Sequence, residues 1–210
     1  MTTREHDGGT DAVAGLLLAA GAGMRLGRPK ATVELAGERL VDRGVRVLRD
    51  GGCAPLYVVT GAGEVTVSGA VQVRNADWDS GLGSSLRAGL AALPAEAGAV
   101  LVALVDQPLV TAAAVARLLC AYYSGAGAAA ATYGGNLRNP VLLGREHWPS
   151  VCALAEGDVG ARPFLNAYSH LVTTVPCDDV ASAEDIDTPE DLARMRKLLA
   201  SPKTTPKTTL

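Results

Sequence analysis

The chain has 210 residues, enough for one sizeable domain or two small ones. Hydrophobic residues make up 48% of it and aromatics only 4%, so the core is expected to be aliphatic strands under small-residue helices, an α/β profile. A formal net charge of −3, without a basic run interleaved with aromatics, argues against a nucleic-acid partner, and no apolar run is long enough to span a membrane.

Residues 1–12 are polar and read as a disordered leader rather than a secretory signal, with 201–210, SPKTTPKTTL, as a disordered tail. Residues 13–200 are expected to form one cytoplasmic domain. Cys53, Cys120, Cys152 and Cys177 stand far apart with no Cys-x-x-Cys pair, and His6, His147 and His170 form no motif. Zinc is not expected, and thiols in a reducing compartment are.

Val13 to Leu18 is an apolar run with the character of a buried parallel strand. It breaks into a loop holding Gly21, Gly23 and Gly27, with Arg25, Arg28 and Lys30 as its charges. Such a loop can turn backbone N–H groups toward an anion while cations neutralise the remainder; an ordinary glycine-rich strand-to-helix turn accounts for it equally well. Two familiar phosphate motifs are excluded. A dinucleotide fingerprint needs glycine where Leu26 stands, and a Walker loop needs Gly-Lys-Ser/Thr where Gly27 is followed by Arg28-Pro29-Lys30.

Leu40 to Arg49 carries a helical stripe of Val41, Val45 and Leu48 that stops at Gly51-Gly52. Leu56 to Val59 and Val71 to Val73 read as strands. Ser85 to Leu93 puts Leu86, Leu90 and Leu93 on one helical face before Pro94. Ahead of it, Gly81, Gly83, Ser84 and Ser85 suggest a helix start with exposed N–H groups and hydroxyls, suited to a base or a phosphate, or else a plain serine cap. Ala99 to Val105 is the most apolar strand and ends at Asp106-Gln107-Pro108. A carboxylate there is costly unless it is solvated, paired or metal-bound; the alternative is a turn-former before Pro108.

Thr111 is expected to cap a helix with Val115, Leu118, Leu119 and Tyr122 on its apolar face. Ala128 to Tyr133 and Val141 to Leu143 read as strands around a Gly134-Gly135-Asn136 turn. Ala161 to Ala167 reads as a short helix and Leu171 to Val175 as the last strand. The final helix opens with Thr188 as cap, Pro189 in first position and Asp191 three after the cap. Asp185 and Asp187 precede it, where acidic residues suit a helix start or, with Asp106, a Mg²⁺ ion bridging phosphates. Strand–helix alternation predicts a single, mostly parallel sheet flanked by helices, with ligands at the carboxyl ends of the strands.

Six segments in order, LAAGAGMRLGRPK, NADWDSGLGSSLRAGL, VDQPLV, NPVLLGREHW, GDVGARPFL and DIDTPEDL, resemble the molybdenum cofactor nucleotidyltransferases, most closely the cytidylyltransferase branch. The resemblance implies a Rossmann-like nucleotidyltransferase domain with a mixed sheet. It implies CTP held by Leu18, Ala19, Ala20, Gly21 and Gly23, with Arg25 and Lys30 neutralising the triphosphate and Asn75, Ser84 and Ser85 beside the base. Asp106 and Asp187 would carry Mg²⁺, and Arg25, Lys30 and Asp106 would be the catalytic groups. Asn139, Pro140 and Asp158 would face a molybdopterin-like acceptor, and a molybdenum hydroxylase would be the enzyme served. Ala20 and Gln107 stand where guanylyltransferase relatives have glycine and methionine, which implies CTP. Two departures fall on the acceptor side: Arg138-Asn139-Pro140 replaces Gly-His-Pro, and Val159 replaces lysine. Similar sequences also include nicotine blue oxidoreductase, which implies an alternative NAD(P)H-dependent reaction, and a non-catalytic molybdopterin-binding chaperone is the third reading.

Overall fold

The computed structural model describes residues 12–200. The expected tail, and all of the expected leader except Ala12, lie outside the described residues. The chain runs β1 (Val13–Ala19), a two-residue hairpin of β2 (Glu34–Leu35) and β3 (Glu38–Arg39), α1 (Leu40–Asp50), β4 (Leu56–Thr60), β5 (Val71–Arg74) and α2 (Leu82–Ala92). It continues through β6 (Ala99–Leu104), α3 (Ala112–Tyr123), β7 (Ala128–Tyr133), β8 (Asn136–Gly144), α4 (Trp148–Leu154), α5 (Arg162–Ala167), β9 (Val172–Pro176) and α6 (Pro189–Ala200).

Seven strands form one sheet in the order β5-β4-β1-β6-β8-β7-β9, parallel throughout except for β8, which runs against both neighbours. The expected mostly parallel α/β domain is the one observed. Alternation along β1 divides the core: Val13, Leu17 and Ala19 pack with α1, α3 and α6, whereas Ala14, Leu16 and Leu18 pack with α2, α4 and α5. Both covering helices approach β1 at a glycine. A Cβ on Gly44 of α1 would stand 2.7 Å from Leu17, and one on Gly89 of α2 would stand 2.7 Å from Leu16.

Three differences from the expected elements have local causes. Gly134 and Gly135, both at positive φ, close a two-residue hairpin, so Asn136 begins β8 rather than belonging to the turn. Asn139 and Pro140 are the extra residues of a bulge, since Ala130 pairs with Val141 while Ala131 pairs with Arg138. Helix α4 carries too few turns to show a period, its core contacts being Trp148 and Val151.

The reversal of β8 matters for function. Because Val102 pairs with Val141 and Ala99 with Gly144, the first residues of β8 overhang the edge where β1 and β6 end. After β9 the chain returns along that same edge, with Cys177 donating to Thr132, Ser182 to Leu109 and Ile186 to Asp106 through backbone hydrogen bonds. Among the described residues, no helix is long and apolar enough to cross a membrane.

Candidate functional site

The loop after β1 is shaped by Gly23, at φ 60°, where a Cβ would stand 2.1 Å from the Arg28 carbonyl oxygen, so only glycine fits. Lys30 N donates back to the Gly21 carbonyl, closing the loop, while the N–H groups of Gly21 to Met24 donate to no carbonyl among the described residues. The closure aims Lys30 at two carboxylates. Its Nζ donates to Asp106 Oδ2 at 2.6 Å and to Asp187 Oδ1 at 2.5 Å, and Arg25 Nη2 lies 3.6 Å from Asp187 Oδ2. Burial by itself would lower the Lys30 pKa; Asp106 and Asp187 outweigh it and hold the ammonium above its ordinary value.

Asp106 follows β6, and Asp187 is held by the start of α6. There the Asp191 carboxylate accepts from the N–H groups of Asp187 and Thr188, and the Thr188 hydroxyl accepts from Asp191 N, the capping box the sequence suggested. Fully buried Ile186 anchors the segment between Asp185 and Asp187. Asp185 Oδ1 accepts from Gln107 Nε2 at 2.9 Å. Burial raises the Asp185 pKa; the Gln107 amide works against that, and Asp106 and Asp187 add to it.

Two cavities meet at these carboxylates. One, of about 660 Å³, is lined by Ala20, Gly21, Gly23, Arg25, Lys30, Trp78 and Ser85. The other, of about 640 Å³, is lined by Asn136, Arg138, Asn139, Val159, Arg162 and Asp185. Leu18, Leu82, Leu104, Asp106, Asp158 and Asp187 border both.

A divalent cation fits the junction. Asp106 Oδ1 is buried without a hydrogen-bond partner, an arrangement that suits a positive charge. Among the described residues no group of three His, Cys, Asp or Glu is placed to hold a metal. Asp106 and Asp187 would therefore supply two ligands and leave the rest to phosphate and water, the donor pattern of Mg²⁺.

The other expected site residues divide. Ala19 lies in the packed core on the α1 side of the sheet. Asn75 is buried and its Nδ2 donates to Ser84 Oγ at 2.9 Å and Ser85 Oγ at 3.1 Å, while Ser84 Oγ in turn donates to backbone carbonyls at Asp77 and Gly81. The expectation of exposed hydroxyls at a helix start is thus corrected. Helix α2 begins at Leu82, one turn earlier, which draws both serines inward, and of the two Ser85 borders the glycine-loop cavity. The helix N-terminus is also taken, because Leu82 N donates to Asp158 Oδ1 at 3.3 Å. Asn139 borders the second cavity, and Pro140 is buried in the β8 bulge. Gln107 borders the second cavity rather than the one at the glycine loop.

Sequence reasoning missed Trp78, Arg162 and Asn166, and met Arg138 only as a departure from a motif on the acceptor side. Trp78 could have been noticed as one of two tryptophans in an aromatic-poor chain, and the others as polar neighbours of the 139–140 and 157–161 segments.

The chain is similar to several known proteins. The chain is 39% identical over 198 residues to a nicotine blue oxidoreductase of Paenarthrobacter nicotinovorans, covering 87% of this chain and 96% of that protein. It is 40% identical over 123 residues to a probable molybdenum cofactor guanylyltransferase of Opitutus terrae, covering 56% of this chain and 59% of that protein. The crystal structure of a Mycobacterium sp. strain JC1 homologue of a Mycobacterium tuberculosis protein superposes with a TM-score of 0.76 at 30% identity, over 90% of this chain and 98% of that one. Residues 15–172, which hold the glycine loop, Asp106 and the loop at Asp158, match the MobA-like NTP transferase domain, and the chain belongs to that family.

Proposed function

We propose that the protein transfers CMP from CTP to a phosphorylated acceptor, the molybdopterin form of the molybdenum cofactor, and releases pyrophosphate. The observation that carries this reading is the junction. A loop whose N–H groups at Gly21 to Met24 donate to no carbonyl among the described residues presents Arg25 and Lys30 to one cavity, a second cavity lies opposite, and Asp106 and Asp187 stand where the two meet.

The nucleophile in such a reaction is a phosphate monoester oxygen, anionic at neutral pH, so no general base is required. This oxygen bonds to the α-phosphorus as the bond to the bridging oxygen of the β-phosphate breaks, and pyrophosphate leaves. The glycine loop orients the triphosphate, while Arg25 and Lys30 neutralise charge on the departing pyrophosphate. Asp106 and Asp187 would hold Mg²⁺, which supplies charge stabilisation at the phosphates when bound. Ala20, on the wall of the glycine-loop cavity, supports CTP through the resemblance of LAAG to the cytidylyltransferase branch.

A second reading is favoured by one observation, the 39% identity to a nicotine blue oxidoreductase over nearly its full length. In that reading the same cavity holds NADH or NADPH and the acceptor takes a hydride. One assay separates the two. Wild type is expected to release pyrophosphate from CTP with Mg²⁺ and molybdopterin, and Asp106→Ala is expected not to; equal release by both proteins would sink the transferase reading. Oxidation of NADPH by an organic acceptor without metal would favour the oxidoreductase.

A further inference from the structure

We infer that Arg138 and Arg162 form an oxyanion-recognition site in the second cavity and select acceptors carrying a carboxylate or phosphate. The inference deepens the proposed function, because it takes that cavity to be the acceptor's.

Every carboxylate bordering the cavity already has a partner within the protein. Asp106 and Asp187 accept from Lys30, Asp185 accepts from Gln107, and Asp158 accepts from Leu82 N. The two guanidiniums do not. Arg162 makes no hydrogen bond or ion pair among the described residues, and Arg138 reaches only the carbonyl of its own neighbour, Leu137. Each guanidinium has five N–H donors in a planar fork suited to a carboxylate or phosphate.

Elsewhere this chain spends its arginines on itself. Arg43 donates to the Pro108 carbonyl, Arg46 to Glu38, Arg87 to the Ala155 carbonyl, and Arg117 to Asp179. Arg28 and Arg74 are also without partners among the described residues, but neither borders either of these two cavities. Of the exposed arginines with few or no partners, Arg138 and Arg162 are the two that stand on the wall of this cavity.

Their placement has a structural basis. The β8 bulge at Asn139-Pro140 interrupts the ladder beside Arg138, and Gly160, at φ 52°, turns the chain immediately ahead of Arg162 at the start of α5. Together with the metal-type carboxylates at the junction, the arrangement fits an acceptor with two anionic ends. One end would lie at the cation that Asp106 and Asp187 would hold, and the other meets the guanidiniums.

The test uses simple probes and no nucleotide. Amide shifts of isotope-labelled full-length protein are followed on titration with phenyl phosphate, benzoate and neutral benzamide. Gly160 and Ala161 report the second cavity, and Gly21 and Ala22 report the glycine loop. Phenyl phosphate, benzoate or both are expected to shift Gly160 and Ala161 saturably, with benzamide at least tenfold weaker. Arg138→Ala/Arg162→Ala is expected to weaken the binding anion at least tenfold while keeping the wild-type melting temperature, and Arg138→Lys to fall between. Saturation by phenyl phosphate alone would make the site phosphate-selective, and saturation by both anions would make it a general oxyanion site. The inference is overturned if neither anion shifts Gly160 and Ala161, if benzamide binds as tightly as the anions, or if the double variant binds like wild type. If anion binding holds while CTP yields no pyrophosphate, only the transferase reading falls.

Discussion

Lys30 Nζ lies 2.6 Å from Asp106 Oδ2 across 76 positions of sequence, joining the loops that follow two adjacent parallel strands, β1 and β6. The same ammonium reaches Asp187, which the chain delivers only after the whole sheet has been laid down. In the free protein Lys30 thus holds the charge that a divalent cation and a triphosphate would divide between them.

Lys30→Met keeps most of the length of the side chain and removes the charge. Asp106 is then left without an ion pair and Asp187 keeps only Arg25, which is expected to cost about 2 kcal/mol, below the value for a fully buried pair because Asp187 is partly solvated. Millimolar Mg²⁺ is expected to raise the melting temperature of this variant more than that of wild type. Nucleotidyl transfer is expected to fall by about 100-fold or more. In wild type the Lys30 pKa is raised, so the contribution of the pair is full below pH 10.5 and fades only as pH climbs through the raised value. Melting curves with and without Mg²⁺, repeated up to pH 11, check both statements.

Asp185 has the opposite sign. Burial raises its pKa, so the folded state binds more protons than the unfolded one between 3.8 and the raised value. Stability falls as pH rises through that window, and at neutral pH the ionised carboxylate is a standing cost. Asp185→Asn keeps an oxygen for Gln107 Nε2 and removes the charge. It is expected to raise the melting temperature at pH 7 and to show no gain below pH 3; a lower melting temperature at pH 7 would contradict the assignment.

Gly81 has φ 108°, and a Cβ there would stand 2.5 Å from the Gly157 carbonyl. Gly81→Ala is expected to destabilise by roughly 2–4 kcal/mol through backbone strain and overpacking. It should also push Asp158 away from Leu82 N. Hydrogen exchange at Leu82 is the direct check, since loss of the hydrogen bond predicts faster exchange there than in the interior of α2.

Much of this was legible in the sequence, for reasons particular residues show. Strands β1 and β6 are apolar on both faces, as strands between two helical layers must be, so the sheet and its carboxyl edge could be read directly. The Thr188–Asp191 cap was legible because its chemistry is local. Lys30, Asp106 and Asp187 could be named as charges near one edge, but their pairing depends on β1 lying beside β6, which no periodicity reports. Ser84 and Ser85 were misread because burial depends on where α2 begins, and Gly81, just ahead of that start, packs against Gly157, 76 residues away. Arg138 was seen only as a departure from a motif; the bulge and the reversal of β8 put it on a cavity wall.

Ala20→Gly tests nucleotide choice. Ala20 is 6% exposed and borders the glycine-loop cavity, and the Cβ it carries is what the guanylyltransferase-like sequence lacks at that position. The ratio of GTP to CTP use is expected to rise about tenfold, a change of roughly 1.4 kcal/mol in relative transition-state binding. Competition between the two nucleotides in one reaction measures the ratio directly.

The most direct measurement is a thermal-shift panel of CTP, GTP, ATP and NADPH, each with and without Mg²⁺, on wild type and Asp106→Ala. A ligand that binds only the folded state must raise the melting temperature when it is present well above its dissociation constant. The account predicts stabilisation by CTP that requires Mg²⁺ and disappears in Asp106→Ala, with no response to NADPH. Stabilisation by NADPH without metal, together with no response to any triphosphate, would contradict it.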